Sequence, residues 1–184
     1  AQIVGAGFAC GTTRVANILT RKTPFAISGG SGDYHHDYAH QVNMLQPDVV
    51  QVVRNTEIGH ADQVAAIAEI LDQIDDVDGN SVLDNTCILW ISELAAGWHS
   101  HSPWPVVMLG GAAGKFRMGR YIRFPQTVPR PLSNPDAGWA KDFVGQPHNH
   151  MLVSICQAMG LDVNHVGLEK VTGYLPEGGT VQLG

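Results

Sequence analysis

The sequence has little positive charge and no long apolar run, and each shortage excludes a class of protein. The 184 residues include 11 Lys and Arg against 17 Asp and Glu, for a formal net charge of −6. Without a basic run, the chain has no surface that attracts phosphate backbones, so we predict no nucleic-acid binding. No apolar stretch approaches the roughly 18 residues that a bilayer requires, so we also predict no membrane span.

Cysteines and several catalytic motifs are scarce as well. Cys10, Cys87 and Cys156 are too few and too far apart for a disulfide framework, and their small or apolar neighbours predict buried free thiols. The chain lacks a G-x-S-x-G elbow and a C-x-x-C pair. Residues 110–114 lack the G-x-G-x-x-G register of a dinucleotide loop and predict a tight turn instead.

Histidine, by contrast, is concentrated in three short stretches. Seven of the nine histidines lie in residues 33–40, 93–101 and 145–150. Imidazole and carboxylate are the ligands that borderline divalent metals such as zinc prefer. Because separate loops that each bring such side chains assemble a metal centre in α/β enzymes, we predict a divalent metal, zinc, and a metal-dependent hydrolase or its inactive relative.

Helical and strand patterns alternate along the chain. The predicted helices span residues 2–11, 47–75 and 148–159, the last ended by Gly160. The predicted strands span 14–20, 86–91 and 105–110, followed by a hairpin over 116–124 and a long proline-rich loop over 125–147. Continuous apolar strands between helices are typical of a sheet covered on both faces. The predicted fold class is therefore α/β, a doubly wound and mostly parallel sheet, in a single domain spanning residues 1–184.

Ligands of such a sheet bind outside the carboxyl ends of its strands, where these histidines are expected. The second stretch follows strand 86–91, and the first follows strand 14–20. His36 and His40 have the spacing of one helix face, with Asp33 three residues before His36. The candidate metal ligands are Asp33, His36, His40, Glu93, His99, His101 and His148. The alternatives are polar loop side chains and, for His148, a capping or packing role.

Seven segments occur in the order and spacing of a known family. They are residues 8–16, 35–40, 83–86, 99–101, 105–111, 119–125 and 147–149. They resemble the C-terminal half of the secreted bacterial proteins named for an H-x-x-S-H-H motif, over residues 3–176. Those proteins are similar to a sulfatase-like group with W-D-T-H and S-E-F-G stretches, whose places residues 32–35 and 92–95 occupy here. Both groups resemble the alkaline phosphatase superfamily.

This resemblance implies a sulfatase-like domain of which the chain is the C-terminal half, completed by an N-terminal half or a partner chain. It implies one or two metal ions, commonly zinc, at the C-terminal edge of the sheet. There they would assist a Ser, Thr or modified Cys in attacking phosphate or sulfate esters. It also implies export to the periplasm or the cell exterior, often with a twin-arginine signal.

The chain departs from the family pattern in two ways, which leaves two hypotheses. Ala39 and Gln41 stand where the motif has its serine and its last histidine. The superfamily nucleophile and first metal-binding aspartate would lie upstream of residue 1, so no catalytic residue is assigned. One hypothesis is a metal-dependent hydrolase-like domain for a small-molecule or glycan phosphate or sulfate ester. The other is a non-catalytic exported protein that retains the fold and serves in assembly or glycan binding.

Overall fold

The computed structural model of the chain describes residues 1–20, 28–95, 99, 103–125, 128–129, 143–144 and 147–167. Its helices are α1 (Gln2–Ala9), a π-helix (Tyr34–Ala39), a 3-10 turn (Val42–Met44), α2 (Pro47–Asp72) and α3 (Asn149–Ala158). Its strands are β1 (Ile88–Ile91), β2 (Val106–Leu109), β3 (Val128–Pro129) and β4 (Phe143–Val144). Two compact units divide the chain, Ala1–Leu83 with Ala96–His99 and Asp84–Ala95 with Ser100–Gly184.

The first unit is organised by α2, which confirms the longest predicted helix. Pro47 occupies its first turn, where a missing N–H costs nothing. Its buried residues lie three or four apart in two groups, Val52 with Thr56 and Ala68 with Leu71. Within each group this spacing places the two residues on one side of the helix, so α2 contacts the core near its start and near its end. Ile58, one of the apolar residues whose three- and four-residue spacing predicts this helix, is 48% exposed.

Helix α1 confirms the predicted helix at residues 2–11 and approaches the end of α2 through a glycine. A Cβ placed on Gly5 would lie 2.5 Å from the Ile74 Cδ1 atom and 3.3 Å from the Leu71 Cδ2 atom. Gly5 is the buried residue of α1, and Leu71 is 1% exposed. The missing side chain of Gly5 therefore permits close packing, because the side chains of Ile74 and Leu71 occupy the space that a Cβ would need.

The predicted strand over residues 14–20 is wrong. Residues 11–20 are irregular and exposed. The Thr13 hydroxyl donates to the Val15 carbonyl at 2.9 Å and accepts from the Val15 amide at 3.4 Å. Such a local side-chain turn occupies backbone groups that a strand would need for its ladder.

The second unit contains the two apolar strands that the sequence predicts, β1 and β2, and they pair antiparallel. Ile88 lies opposite Leu109, and Ile91 lies opposite Val106. Strands β3 and β4 also pair antiparallel, so no parallel pair occurs among the residues that the structure describes. An apolar run carries no information on strand direction, and the faces of these strands are only partly covered, with Ile91 44% and Val107 45% exposed. The doubly wound parallel sheet stays a prediction.

Among the loops and the last helix of this unit, the sequence predicts one turn and the helix correctly and one hairpin wrongly. Residues 110–114 form the expected tight turn, in which the Ala113 amide donates to the Asp84 carbonyl at 2.8 Å. The hairpin over 116–124 is wrong, because these residues form no strand. Helix α3 confirms the predicted helix over 148–159, and Gly160 follows it with a φ of 86°.

Two predictions about exposure have different outcomes. No helix in the described part of the chain is long and apolar enough to cross a bilayer, as predicted. The prediction of buried thiols is wrong for Cys10, which is exposed, whereas Cys87 and Cys156 are half-buried. Apolar neighbours in sequence therefore do not ensure burial at the end of a short helix.

Candidate metal centre

The first histidine stretch folds into a π-helix, Tyr34–Ala39, that begins at a capping aspartate. The Asp33 side chain accepts from the His35 amide at 2.9 Å, and the Asp33 amide donates to the Asp37 Oδ2 atom at 2.9 Å. Gly32 precedes this cap with a φ of 92°, a conformation that favours glycine. Single π-turns are rare and often occur at functional sites.

The π-turn places His35 and His40 side by side. The His40 amide donates to the His35 carbonyl at 3.1 Å, a five-residue hydrogen bond. In an α-helix, residues five apart would point about 140° away from each other. The wider π-turn rotates less per residue, and the Nε2 atoms of His35 and His40 lie 3.0 Å apart. Two imidazoles on one tetrahedral zinc ion would have their nitrogens about 3.3 Å apart, close to this distance.

His36 completes a group of three imidazoles. His35, His36 and His40 each offer a nitrogen atom, and these atoms all lie within 4.8 Å of one another. His35 and His36 are exposed, and His40 is half-buried. Among the residues that the structure describes, this is the only group of three or more metal-ligating side chains so arranged. Three imidazoles suit zinc and neighbouring transition metals better than magnesium or calcium.

Asp33 lies beside this group and orients His36. Its Oδ2 atom is 2.6 Å from the His36 Nδ1 atom. This hydrogen bond is the largest cause that lowers the pKa of the Asp33 carboxyl, and the His35 amide adds to it. In the tautomer with the proton on Nδ1, which the ionised carboxylate accepts, the Nε2 lone pair of His36 can bind a metal. This placement favours Asp33 as a residue that orients a metal ligand without binding the metal itself.

Two tyrosines attach the π-helix to its surroundings. Tyr34 is half-buried beside Thr56 and Glu57 of α2, and burial is the main cause that raises the pKa of its phenol. The Tyr38 hydroxyl donates to the Ser31 carbonyl at 3.3 Å and accepts from the Ser31 amide at 3.2 Å. These contacts hold the glycine-rich segment before the helix and the helix itself together.

His99 of the second stretch lies against the same group. Its ring centroid is 5.0 Å from that of His40 and 5.6 Å from that of His35. All these residues belong to the first unit. The structure therefore brings together four of the histidines, of which the sequence analysis named His36, His40 and His99 and missed His35.

The remaining predicted ligands are placed elsewhere or not described. His101 lies outside the described residues. Glu93 is exposed after β1, and His148 precedes α3 without a side-chain capping bond. The His148 ring contacts Trp104 edge-on at 5.0 Å, and the Trp104 indole donates to the Ser92 carbonyl at 2.5 Å. Within the described residues, neither Glu93 nor His148 belongs to a group of three or more side chains that could hold a metal ion.

The local sequence carries no signal that identifies His35. Asp33 predicts a capped turn, and the ordinary helical spacing of 3.6 residues per turn selects His36 with His40. Only a widened turn selects His35 with His40, and nothing local to the sequence announces it. Comparison of the chain with protein-family models, curated proteins and solved structures found no match.

Proposed function

We propose that the chain is a metal-dependent hydrolase-like domain for phosphate or sulfate esters, exported from the cell. The observation that supports it is the group of three imidazole nitrogens within 4.8 Å on one π-turn. The proposed metal is zinc, held by His35, His36 and His40. The proposal also includes the doubly wound sheet and an N-terminal half or partner chain that completes the domain.

The chemistry of the donor set fits such a metal. A zinc ion with three protein ligands supplies an open position and a positive charge, which activate water and stabilise charge that develops on an ester oxygen. The chain's own contribution is to hold three imidazole nitrogens together and to orient the His36 ring through Asp33. The exposure of His35 and His36 leaves a path by which a small ester can reach the group.

The proposal is tested first by metal content. Protein purified without chelator or affinity tag is dialysed against zinc and analysed by plasma mass spectrometry. We expect about one equivalent per chain, because three imidazoles form one shell. The triple variant of His35, His36 and His40 to Ala should lose it. A variant of the exposed His165 to Ala is the matched control and should keep it. Absence of metal in the unaltered chain would refute the proposal.

Hydrolysis is then measured on the metal-loaded chain. Nitrophenyl phosphate and nitrophenyl sulfate are offered with and without zinc, and the triple variant serves as the blank. Turnover that depends on both the metal and the three histidines supports the hydrolase.

A second candidate is the non-catalytic metal-binding protein, which one observation favours. The Gln41 amide, at the position of the family's last histidine, donates to the His36 carbonyl at 3.5 Å, and Ala39 brings no hydroxyl to the π-turn. Bound metal without turnover of either ester would support this candidate.

A further inference from the structure

His99 lies beside the group of His35, His36 and His40, although it belongs to a different segment of the chain. The segment that carries it is far along the chain from the π-turn, yet its ring centroid lies 5.0 Å from that of His40. Its backbone has a φ of 60°, which few residues other than glycine adopt, although histidine is among those that do so more often. This unusual backbone conformation accompanies a ring placed against two others.

Five ring separations among the four histidines are close to the value for two imidazoles on one ion, whereas only the nitrogens of His35, His36 and His40 already lie within 4.8 Å of one another. With metal–nitrogen distances of about 2.0–2.1 Å, the centroids of two rings on a tetrahedral zinc ion lie roughly 5 Å apart. The centroid separations are 4.5 Å for His35–His40, 4.9 Å for His35–His36, 5.0 Å for His40–His99, 5.6 Å for His35–His99 and 5.7 Å for His36–His40. All five lie close to that value, and none of these ring pairs is parallel and face to face.

We propose that His99 is the fourth ligand of this centre and regulates it by occupying the position that three histidines leave open. This inference rests on the proposed function, because it concerns the same metal. A zinc ion with four protein ligands has a closed shell and is typical of structural sites, whereas an open position is typical of catalytic ones. Release of His99 would therefore convert a closed centre into one that water and an ester can reach.

The variant that tests this is His99→Asn. Asparagine adopts the left-handed backbone readily, so the exchange removes the imidazole without adding strain. His99→Gly is the second variant, which tolerates the same φ and carries no side chain. His165→Ala, an exposed histidine remote from residues 33–40 in the chain, is the matched control.

X-ray absorption of the zinc-loaded proteins counts the imidazoles on the metal. We expect four in the unaltered chain and in His165→Ala. In both His99 variants we expect three with added oxygen, one zinc per chain retained, and faster zinc-dependent ester hydrolysis. Three imidazoles in every protein would overturn the role of His99 and leave the proposed function intact. Absence of zinc in the unaltered chain would overturn both.

Discussion

The Nε2 atoms of His35 and His40 lie 3.0 Å apart across a single π-turn. Two imidazole lone pairs at this distance repel unless a proton or a metal lies between them, and a neutral pair can share only one proton. His36 and His99 stand close to the same two rings. A metal held by His35, His36 and His40, as proposed above, would take the place of the shared proton.

The first prediction concerns Asp33 as the residue that orients His36. Asp33→Ala removes the acceptor for the His36 Nδ1 proton, so the ring can rotate and Nε2 leaves the group. We expect zinc affinity to fall by about 10–100-fold, the usual effect of losing a carboxylate behind a ligating histidine. Competition with a chromophoric chelator measures it. Asp62→Asn on the exposed side of α2 is the control, and equal affinity in all three proteins would contradict the assignment.

The second prediction concerns the pKa of Asp33. The His36 hydrogen bond holds it below its ordinary value of 3.8. Because the folded value is the lower one, this contact stabilises the fold above pH 3.8, and the contribution is lost as the pH falls through the folded-state pKa. In the metal-free protein, a carbon-detected NMR titration should give a midpoint below 3.8.

The same titration has an internal check. His36→Ala should raise the midpoint of Asp33 part of the way back toward 3.8, since the His35 amide still donates to the carboxylate. His60→Ala, on α2, should leave it unchanged. An unmoved midpoint in His36→Ala would show that His36 does not perturb the carboxyl in solution.

The third prediction separates backbone strain from a steric clash at two glycines. A Cβ on Gly32 would lie 2.6 Å from the Asp37 Oδ2 atom, whereas a Cβ on Gly29 would meet open space. Both glycines have positive φ, so alanine strains both. Gly29→Ala should lower the free energy of unfolding by about 1 kcal/mol. Gly32→Ala should cost about 1–3 kcal/mol, because Asp37 must also give up its hydrogen bond to the Asp33 amide.

Urea denaturation of both glycine variants gives the stabilities, and zinc affinity gives a second readout. We expect only Gly32→Ala to weaken zinc binding, because only its Cβ disturbs the start of the π-helix. Equal affinities for both variants would mean that the capping contact does not position the histidines.

The fourth prediction concerns the core of the first unit. Leu71 is 1% exposed and lies under Gly5. Leu71→Ala should lower the free energy of unfolding by about 2–5 kcal/mol, through lost burial and the cavity it leaves. Val77→Ala, at a site 95% exposed, should change it by less than about 0.5 kcal/mol. A loss under 1 kcal/mol at Leu71, measured by urea denaturation, would contradict the packing of α1 on α2.

The sequence alone determined the local features of the chain. The spacing of Ala68 and Leu71, with Pro47 at the start, predicted α2 because helical periodicity is a property of neighbouring residues. Continuous apolar runs predicted β1 and β2, because such a run is also a property of neighbouring residues. The concentration of histidines in three short stretches predicted imidazole as the candidate ligand type, because the sequence alone gives the residue types.

Tertiary structure decided which of these features meet. Antiparallel pairing of β1 with β2 depends on how the chain returns, and an apolar run is the same in either direction. The approach of His99 to His35 and His40 joins distant segments, and so does the contact of Tyr34 in the π-helix with Thr56 and Glu57 of α2. Local pattern carries no record of such contacts, because the free energy that selects them comes from the packing of the whole unit. The type of candidate ligand therefore follows from composition, while the fold decides which histidines come together.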